Sequence, residues 1–301
     1  MSIKHTINRN LFNVLARVKY PIPIWKILNH KSVSKFNKSQ PVLNEVQSRI
    51  LADLHATGIA TATLDELFPQ QNLLETLNNF ATQCENSGST NHKKKFLVDY
   101  WDEVTELDIN NPFLETALNP VILDVVNSYM EMYTSLLYFT LQKTIPVNDG
   151  DLSNSQNWHR DPQEQKVVKV FTYLNDIDEN SGPFTYVPHS APTQNHPYSK
   201  LFPQKPPRGS YPEKGQVEQK VKSDDVKPMT GRAGSIMFCD TNGLHYGGVA
   251  KTNPRIMSTF GYAAHTYKEN KMYYYDQNFL ESIKDSTPQT KYTIRPQWMT
   301  K

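Results

Sequence analysis

The chain has 301 residues, with 32 Lys and Arg against 30 Asp and Glu, a net charge of +2. That balance argues neither for nor against nucleic acid, but the basic residues form no aromatic-interleaved patch, which argues against a nucleic-acid partner, and no apolar run approaches the roughly 18 residues of a membrane span. Cys84 and Cys239 match no zinc or redox spacing and do not suggest a disulfide-stapled secreted chain, so a soluble, cytoplasmic protein is expected.

Residues 1–44 form a basic N-terminal extension, in which Lys4, Arg9, Arg17, Lys19, Lys26, Lys31, Lys35 and Lys38 meet no acidic residue before Glu45. Leu11, Leu15 and Val18 fall at helical spacing before Pro21 and Pro23. This segment reads as a helix packed on the domain with its lysines in water, as a peripheral membrane contact, or as an acid-poor targeting peptide. The remainder, 45–301, reads as one domain. Helical support is expected over 45–132: Leu43, Val46, Ile50 and Leu54 share one face, and periodicity returns around 70–86 and 119–132. A short strand is expected at 57–62, and the polar stretch 87–95 reads as a loop.

From about 133 the chain turns aromatic and β-prone. Strands are expected at 135–142, 167–174, 184–188, 235–239 and 257–262, separated by turn chemistry such as Glu179-Asn180-Ser181-Gly182-Pro183. Short strands of this kind suggest a double-stranded β-helix, a jelly-roll or cupin-like barrel, over 133–268. The fold class is thus mainly β with helical support (α+β). Residues 191–230, rich in Pro, Lys and Gln, interrupt the barrel as a lid-like insertion. The tail 269–301 carries no chemistry of its own.

Within the barrel lies Asn157-Trp158-His159-Arg160-Asp161. In an extended strand residues i and i+2 point to one face, so His159 and Asp161 can offer a nitrogen and an oxygen to one metal ion. His245, in Gly243-Leu244-His245-Tyr246-Gly247-Gly248, is the candidate third ligand, and Arg255 follows 10 residues later as a cation suited to gripping a carboxylate. Two histidines and a carboxylate make the facial triad of non-haem iron oxygenases.

These residues, together with Ser181-Gly182-Pro183-Phe184 between them and Asn253-Pro254-Arg255 after them, resemble the Fe(II)/2-oxoglutarate-dependent dioxygenases, and among them the phytanoyl-CoA dioxygenase family. The likeness spans roughly 135–265. The segment closing the turn, Pro188-His189-Ser190-Ala191, departs from the family's usual Pro-Gly-Ser-His. The resemblance implies Fe(II) held by His159, Asp161 and His245, 2-oxoglutarate and O2 as co-substrates, and Arg255 on the far carboxylate. It further implies succinate and CO2 as by-products and hydroxylation, or alternatively desaturation, of a small or medium-sized organic molecule. Asp161 argues against halogenation, because related halogenases lack the carboxylate. Gln142, Thr172 and Ser258 are further candidates for 2-oxoglutarate contacts, and Trp158, Tyr138 and Tyr246 for lining the substrate pocket. Arg160 is expected on the opposite side of the strand, in a salt bridge, and His189, His196 and His265 are expected to be non-ligands. Two other classes use the same residues: a metal-binding cupin-like module without turnover, and a zinc hydrolase, in which Arg255 would have no role. Nothing in the sequence speaks to the oligomeric state.

Overall fold

The computed structural model describes residues 21–102, 105–146, 154–162, 164–204, 208–267 and 273–294. The helix expected from Leu11, Leu15 and Val18 lies outside them. Pro23 sits in the first turn of a helix, where a missing N–H costs nothing, so α1 (Ile22–Leu28) begins at the prolines. With α2 (His30–Lys38) it packs onto the domain: Trp25 is buried, its Nε1 donates to Glu164, and Asn29 Nδ2 donates to Thr266.

Helix α3 (Glu45–Thr57) is set by its ends. Asn44 and Gln47 form a reciprocal capping box, and Gly58, at φ 82°, closes it in the left-handed region that glycine adopts at low cost. The chain then enters β1 (Ile59–Thr63), α4 (Leu64–Leu67) and α5 (Leu73–Ser87). The expected loop at 87–95 is partly a strand, β2 (Asn91–Lys94), paired with β3 (Leu97–Asp99). Its polar composition suits the sheet edge it occupies, where charged side chains discourage further pairing. After β4 (Thr105–Glu106) come α6 (Pro112–Leu118) and α7 (Pro120–Met130), each with an Asn side chain capping its first turn.

The strands β5 (Ser135–Thr144), β6 (Val168–Tyr173), β9 (Ser235–Asp240) and β11 (Arg255–Ala263) join the earlier ones in a seven-stranded sheet ordered β1-β9-β6-β11-β5-β3-β2. All of its pairings are antiparallel. A smaller sheet is ordered β10 (His245–Gly247), β7 (Phe184–Tyr186), β8 (Lys227–Pro228), and a bridge from His159 to His245 extends it by the ligand segment. These two sheets make the double-stranded β-helix.

Alternation of side chains divides the large sheet's two faces. Val168, Val170, Ile236, Phe238, Phe260 and Tyr262 face the helices, in a core shared with Ile122, Val126 and Leu54. Phe171, Tyr173, Met237 and Cys239 face the other way and meet Phe184 and Tyr186 of the small sheet. Tyr173 ties the sheets together: its hydroxyl donates to Met229 O at 2.9 Å and accepts from Phe184 N–H at 3.1 Å. Beyond 267, β12 (Tyr273–Tyr274) pairs in parallel with β4, and α8 (Gln277–Ser282) and α9 (Pro288–Thr293) complete the helical layer.

The described residues of 191–230 supply β8 to the small sheet and pack against it. Among them Val217 and Val221 are buried against Val187 and Leu244. Arg160 holds them there. This fully buried guanidinium donates to four carbonyls, of Ser190 and Asn242 at 2.5 Å each, Tyr198 at 3.1 Å and Leu201 at 2.8 Å.

Candidate metal centre and its cavity

His159 and His245 are joined backbone to backbone. His159 N–H donates to His245 O at 2.9 Å, and His245 N–H donates back to His159 O at 3.0 Å. In each imidazole Nδ1 sits on the carbonyl two residues upstream, Asn157 O at 2.8 Å and Gly243 O at 2.9 Å. A proton on Nδ1 satisfies those carbonyls, which leaves the Nε2 lone pairs for a metal and fixes both ring planes. Burial pushes both imidazoles below the ordinary histidine pKa, that of His245 to about 3, so both are neutral donors at neutral pH.

Asp161 completes the set. Its Oδ1 lies 3.9 Å from His159 Nε2 and its Oδ2 3.9 Å from His245 Nε2. One ligand atom from each residue falls within 4.8 Å of the other two, and all three side chains are buried. Two neutral nitrogens and one carboxylate converging from one side leave the opposite side of an ion open, and this donor set suits ferrous iron.

Gly243 allows this packing. A Cβ there would run into the buried Tyr186 ring, whose hydroxyl donates to Asp240 O at 3.0 Å. Gly182 and Gly248 serve Arg255 in the same way. Their backbones approach so closely that a Cβ on Gly248 would lie 2.5 Å from Pro183 O, and Gly182, at φ 67°, turns its carbonyl to accept from Arg255 Nη1.

A cavity of about 290 Å³ opens beside the triad. Its floor is the inward face of the large sheet: Tyr138, Thr140, Gln142 and Thr144 from β5, Arg255, Met257 and Thr259 from β11, Lys169 and Phe171 from β6. His159 and His245 line it from the small sheet. Arg255 is 7 % exposed. Its Nη2 reaches Thr144 Oγ1 at 3.3 Å, its Nε has no hydrogen-bond partner, and among the described residues no carboxylate acts on its charge. A buried guanidinium with this much unused donor capacity fits the carboxylate of a bound co-substrate.

The other sequence candidates divide. Gln142 and Tyr138 line the cavity, and Gln142 Nε2 donates to Asp99 at 2.7 Å. Thr172 and Ser258 do not line it. They face each other in register on β6 and β11, between residues of the helix-side core, so their side chains point away from the metal ligands. Trp158 and Tyr246 also lie elsewhere: they meet edge to face at 4.5 Å, and Trp158 packs beneath the 191–230 segment with its Nε1 on Glu218. His189 and His196 meet at a tilt with their ring centroids 5.1 Å apart, and His265 meets Tyr292.

Two residues at the site were not singled out from sequence. Lys169 projects into the cavity with Nζ 2.6 Å from Asp161 Oδ2. Burial opposes its charge, but attraction to Asp161 and the neighbouring Tyr138 outweighs burial and raises its pKa. In turn Lys169, against the burial penalty, holds the Asp161 carboxyl well below the usual range. Its inward position was readable from parity, since 169 shares the strand face of 171. Tyr211, 55 % exposed, stacks its ring on His159 at 5.6 Å and 7°; it lies in an irregular segment, where no periodicity marks it.

The family model for phytanoyl-CoA dioxygenase (PhyH) matches residues 68–256. No curated protein matches the sequence. Among solved structures, the epimerase SnoN in complex with Fe3+, alpha ketoglutarate and nogalamycin RO shares 14% identity at a TM-score of 0.54, covering 74% of this chain and 86% of its own. EctD from S. alaskensis, in its apoform, shares 14% identity at 0.51, over 77% and 83%. HygX from Streptomyces hygroscopicus, with nickel, 2-oxoglutarate and hygromycin B bound, shares 15% at 0.50, over 78% and 92%. At such identities the likeness is one of fold.

Proposed function

The chain belongs to the phytanoyl-CoA dioxygenase family, and from that premise we propose that it is an Fe(II)/2-oxoglutarate-dependent oxygenase that hydroxylates a small or medium-sized organic molecule. The observation that carries this reading is the buried His159–Asp161–His245 cluster with Arg255 lining the same cavity. The structural neighbours support the cofactor assignment: SnoN holds Fe3+ and alpha ketoglutarate, and HygX nickel and 2-oxoglutarate. With hygromycin B and nogalamycin RO as their ligands, they also favour a small-molecule substrate.

In this reading His159 and His245 bind the metal through Nε2, each oriented by its Nδ1 contact, and Asp161 supplies the anionic ligand. Arg255 fixes the distal carboxylate of 2-oxoglutarate, and Gln142, Thr140 and Thr144 offer polar contacts along the cavity floor. Iron and 2-oxoglutarate supply the oxidising chemistry, in which 2-oxoglutarate and O2 yield succinate, CO2 and a substrate C–OH in place of C–H. The apolar walls, Phe171, Phe184 and Met257, keep bulk water from the reacting centre. Tyr211, stacked on His159, and Tyr138, in the cavity lining, offer aromatic surfaces for a substrate to lie against. We treat 45–301 as the oxygenase unit and 191–230 as its lid.

SnoN's epimerase activity shows that this fold also serves outcomes other than hydroxylation. Product analysis separates them. Incubation with Fe(II), 2-oxoglutarate, O2 and a panel of carboxylic, amino-acid and glycoside substrates should yield succinate stoichiometric with a product 16 mass units heavier, about one oxygen atom. Succinate formation coupled to a product of unchanged mass would refute hydroxylation, and absence of any coupled turnover would favour a binding module.

A further inference from the structure

A lysine buried inside a barrel needs a reason, because an apolar side chain would fill the same space without the cost of desolvating a charge. Lys169 sits in the apolar run Val167-Val168-Lys169-Val170-Phe171, flanked by two valines that enter the helix-side core. The register across the sheet makes room for it. Tyr138, Gly261, Lys169 and Cys239 form one row across β5, β11, β6 and β9. At Gly261 the missing side chain lets the Tyr138 ring lie over the strand, since a Cβ there would be 2.8 Å from Tyr138 Cζ. The Lys169 ammonium then stands 5.9 Å from that ring's centroid and 2.6 Å from Asp161 Oδ2. Arg255 pairs with Thr144 at the opposite end of β11, 6 residues from Gly261, which is about 20 Å along a strand. The two cavity cations therefore serve different places: Arg255 the far end, Lys169 the metal ligand.

We propose that Lys169 is a positioning residue of the metal centre: its ammonium, in ion-pair contact with Oδ2 of Asp161 although outside hydrogen-bond geometry, withholds that oxygen electrostatically, so that the carboxylate presents a single oxygen, Oδ1, to the metal. This rests on the metal reading above. It has two consequences of opposite sign. Losing an outer partner that orients a ligand ordinarily weakens metal binding about 10- to 100-fold. Losing a positive charge one bond removed from a ligand of a divalent ion strengthens it by more than that, even at a surface-like dielectric. Charge therefore wins, and Lys169 holds the site's affinity down while restricting Asp161 to one-point attachment.

The test is a titration of the full chain with Co(II), read by visible absorption and by affinity, in wild type, Lys169→Met, Lys169→Arg and Asp161→Ala. Wild type is expected to bind one Co(II) that Asp161→Ala loses. Lys169→Met should bind Co(II) at least about tenfold more tightly, with altered band intensity as Oδ2 joins the coordination sphere. Lys169→Arg should keep the wild-type affinity and spectrum, which a merely space-filling lysine would not require. Wild-type affinity and spectrum in Lys169→Met would overturn the inference while leaving the metal site intact. No Asp161-dependent binding in wild type would overturn the metal reading and this inference together. If Lys169→Met does not melt cooperatively, Zn(II)-loaded wild-type protein labelled with 15N-lysine decides the question. One ammonium resonance protected from solvent exchange and missing in Lys169→Arg is expected, and its absence would refute the ion pair.

Discussion

Replacing Arg255 with methionine tests the co-substrate site most cleanly, because it keeps an unbranched apolar stem while removing the guanidinium's charge and donors. The guanidinium is buried and lines the triad's cavity, with Nε free and Nη2 only weakly engaged at 3.3 Å. Two parallel charge-assisted hydrogen bonds to a carboxylate, at about 1.5 kcal/mol each, give about 3 kcal/mol, or roughly a hundredfold in Kd. Stability should change little, since losing the bonds to Gly182 O and Thr144 is offset by removing a buried cation that has no anionic protein partner. Calorimetric titration of Co(II)-loaded protein with 2-oxoglutarate reads the effect directly, with Co(II) affinity as the control. Arg255→Lys should fall between wild type and Arg255→Met, because it keeps the charge but not the fork. A 2-oxoglutarate Kd in Arg255→Met within about threefold of wild type, far below the roughly hundredfold loss, would refute the assignment.

Other substitutions probe the scaffold. Thr172→Val and Ser258→Ala should leave 2-oxoglutarate affinity unchanged and, because both hydroxyls are buried without partners, raise stability by up to about 1 kcal/mol, read by denaturant melts. Gly243→Ala should destabilise by about 3 kcal/mol or more, since its methyl collides with the buried Tyr186 ring, and metal affinity should fall with it as His245 shifts. Arg160→Leu leaves four carbonyls without their donor, so a loss of about 4 kcal/mol or more and faster proteolysis within 191–230 are expected. Under saturating iron, 2-oxoglutarate and substrate, a lid at 191–230 should resist protease better than without them; equal cleavage rates would count against the lid.

Much of the centre was readable because its chemistry is tied to spacing. His159 and Asp161 share a strand face by simple alternation, and a distal histidine followed by arginine narrows the choice of ion and co-substrate. The same alternation, applied further, would have moved Thr172 and Ser258 out of the site. Ser258 lies an odd number of positions from Arg255, and Thr172 an odd number from Phe171 and Lys169, so both face the helices. Lys169 escaped notice because a strand buried on both faces reads as one apolar run, in which a single lysine looks like an edge or surface residue. Which end of the barrel Tyr211 reaches, and which carbonyls Arg160 gathers, depend on the path of an irregular segment held by tertiary contacts. No local pattern encodes that. The strand at 91–94 was missed for a related reason: its polar residues suit a sheet edge, which looks like a loop until its partner is known.

The central claim is that one buried triad and one buried arginine hold ferrous iron and 2-oxoglutarate together. Anaerobic addition of Fe(II) and then 2-oxoglutarate to the purified chain, followed by visible absorption, tests it most directly. A weak charge-transfer band that appears only with both, disappears in Asp161→Ala and is diminished in Arg255→Met is the result this account predicts. Tight metal binding with no such band at saturating 2-oxoglutarate would contradict it.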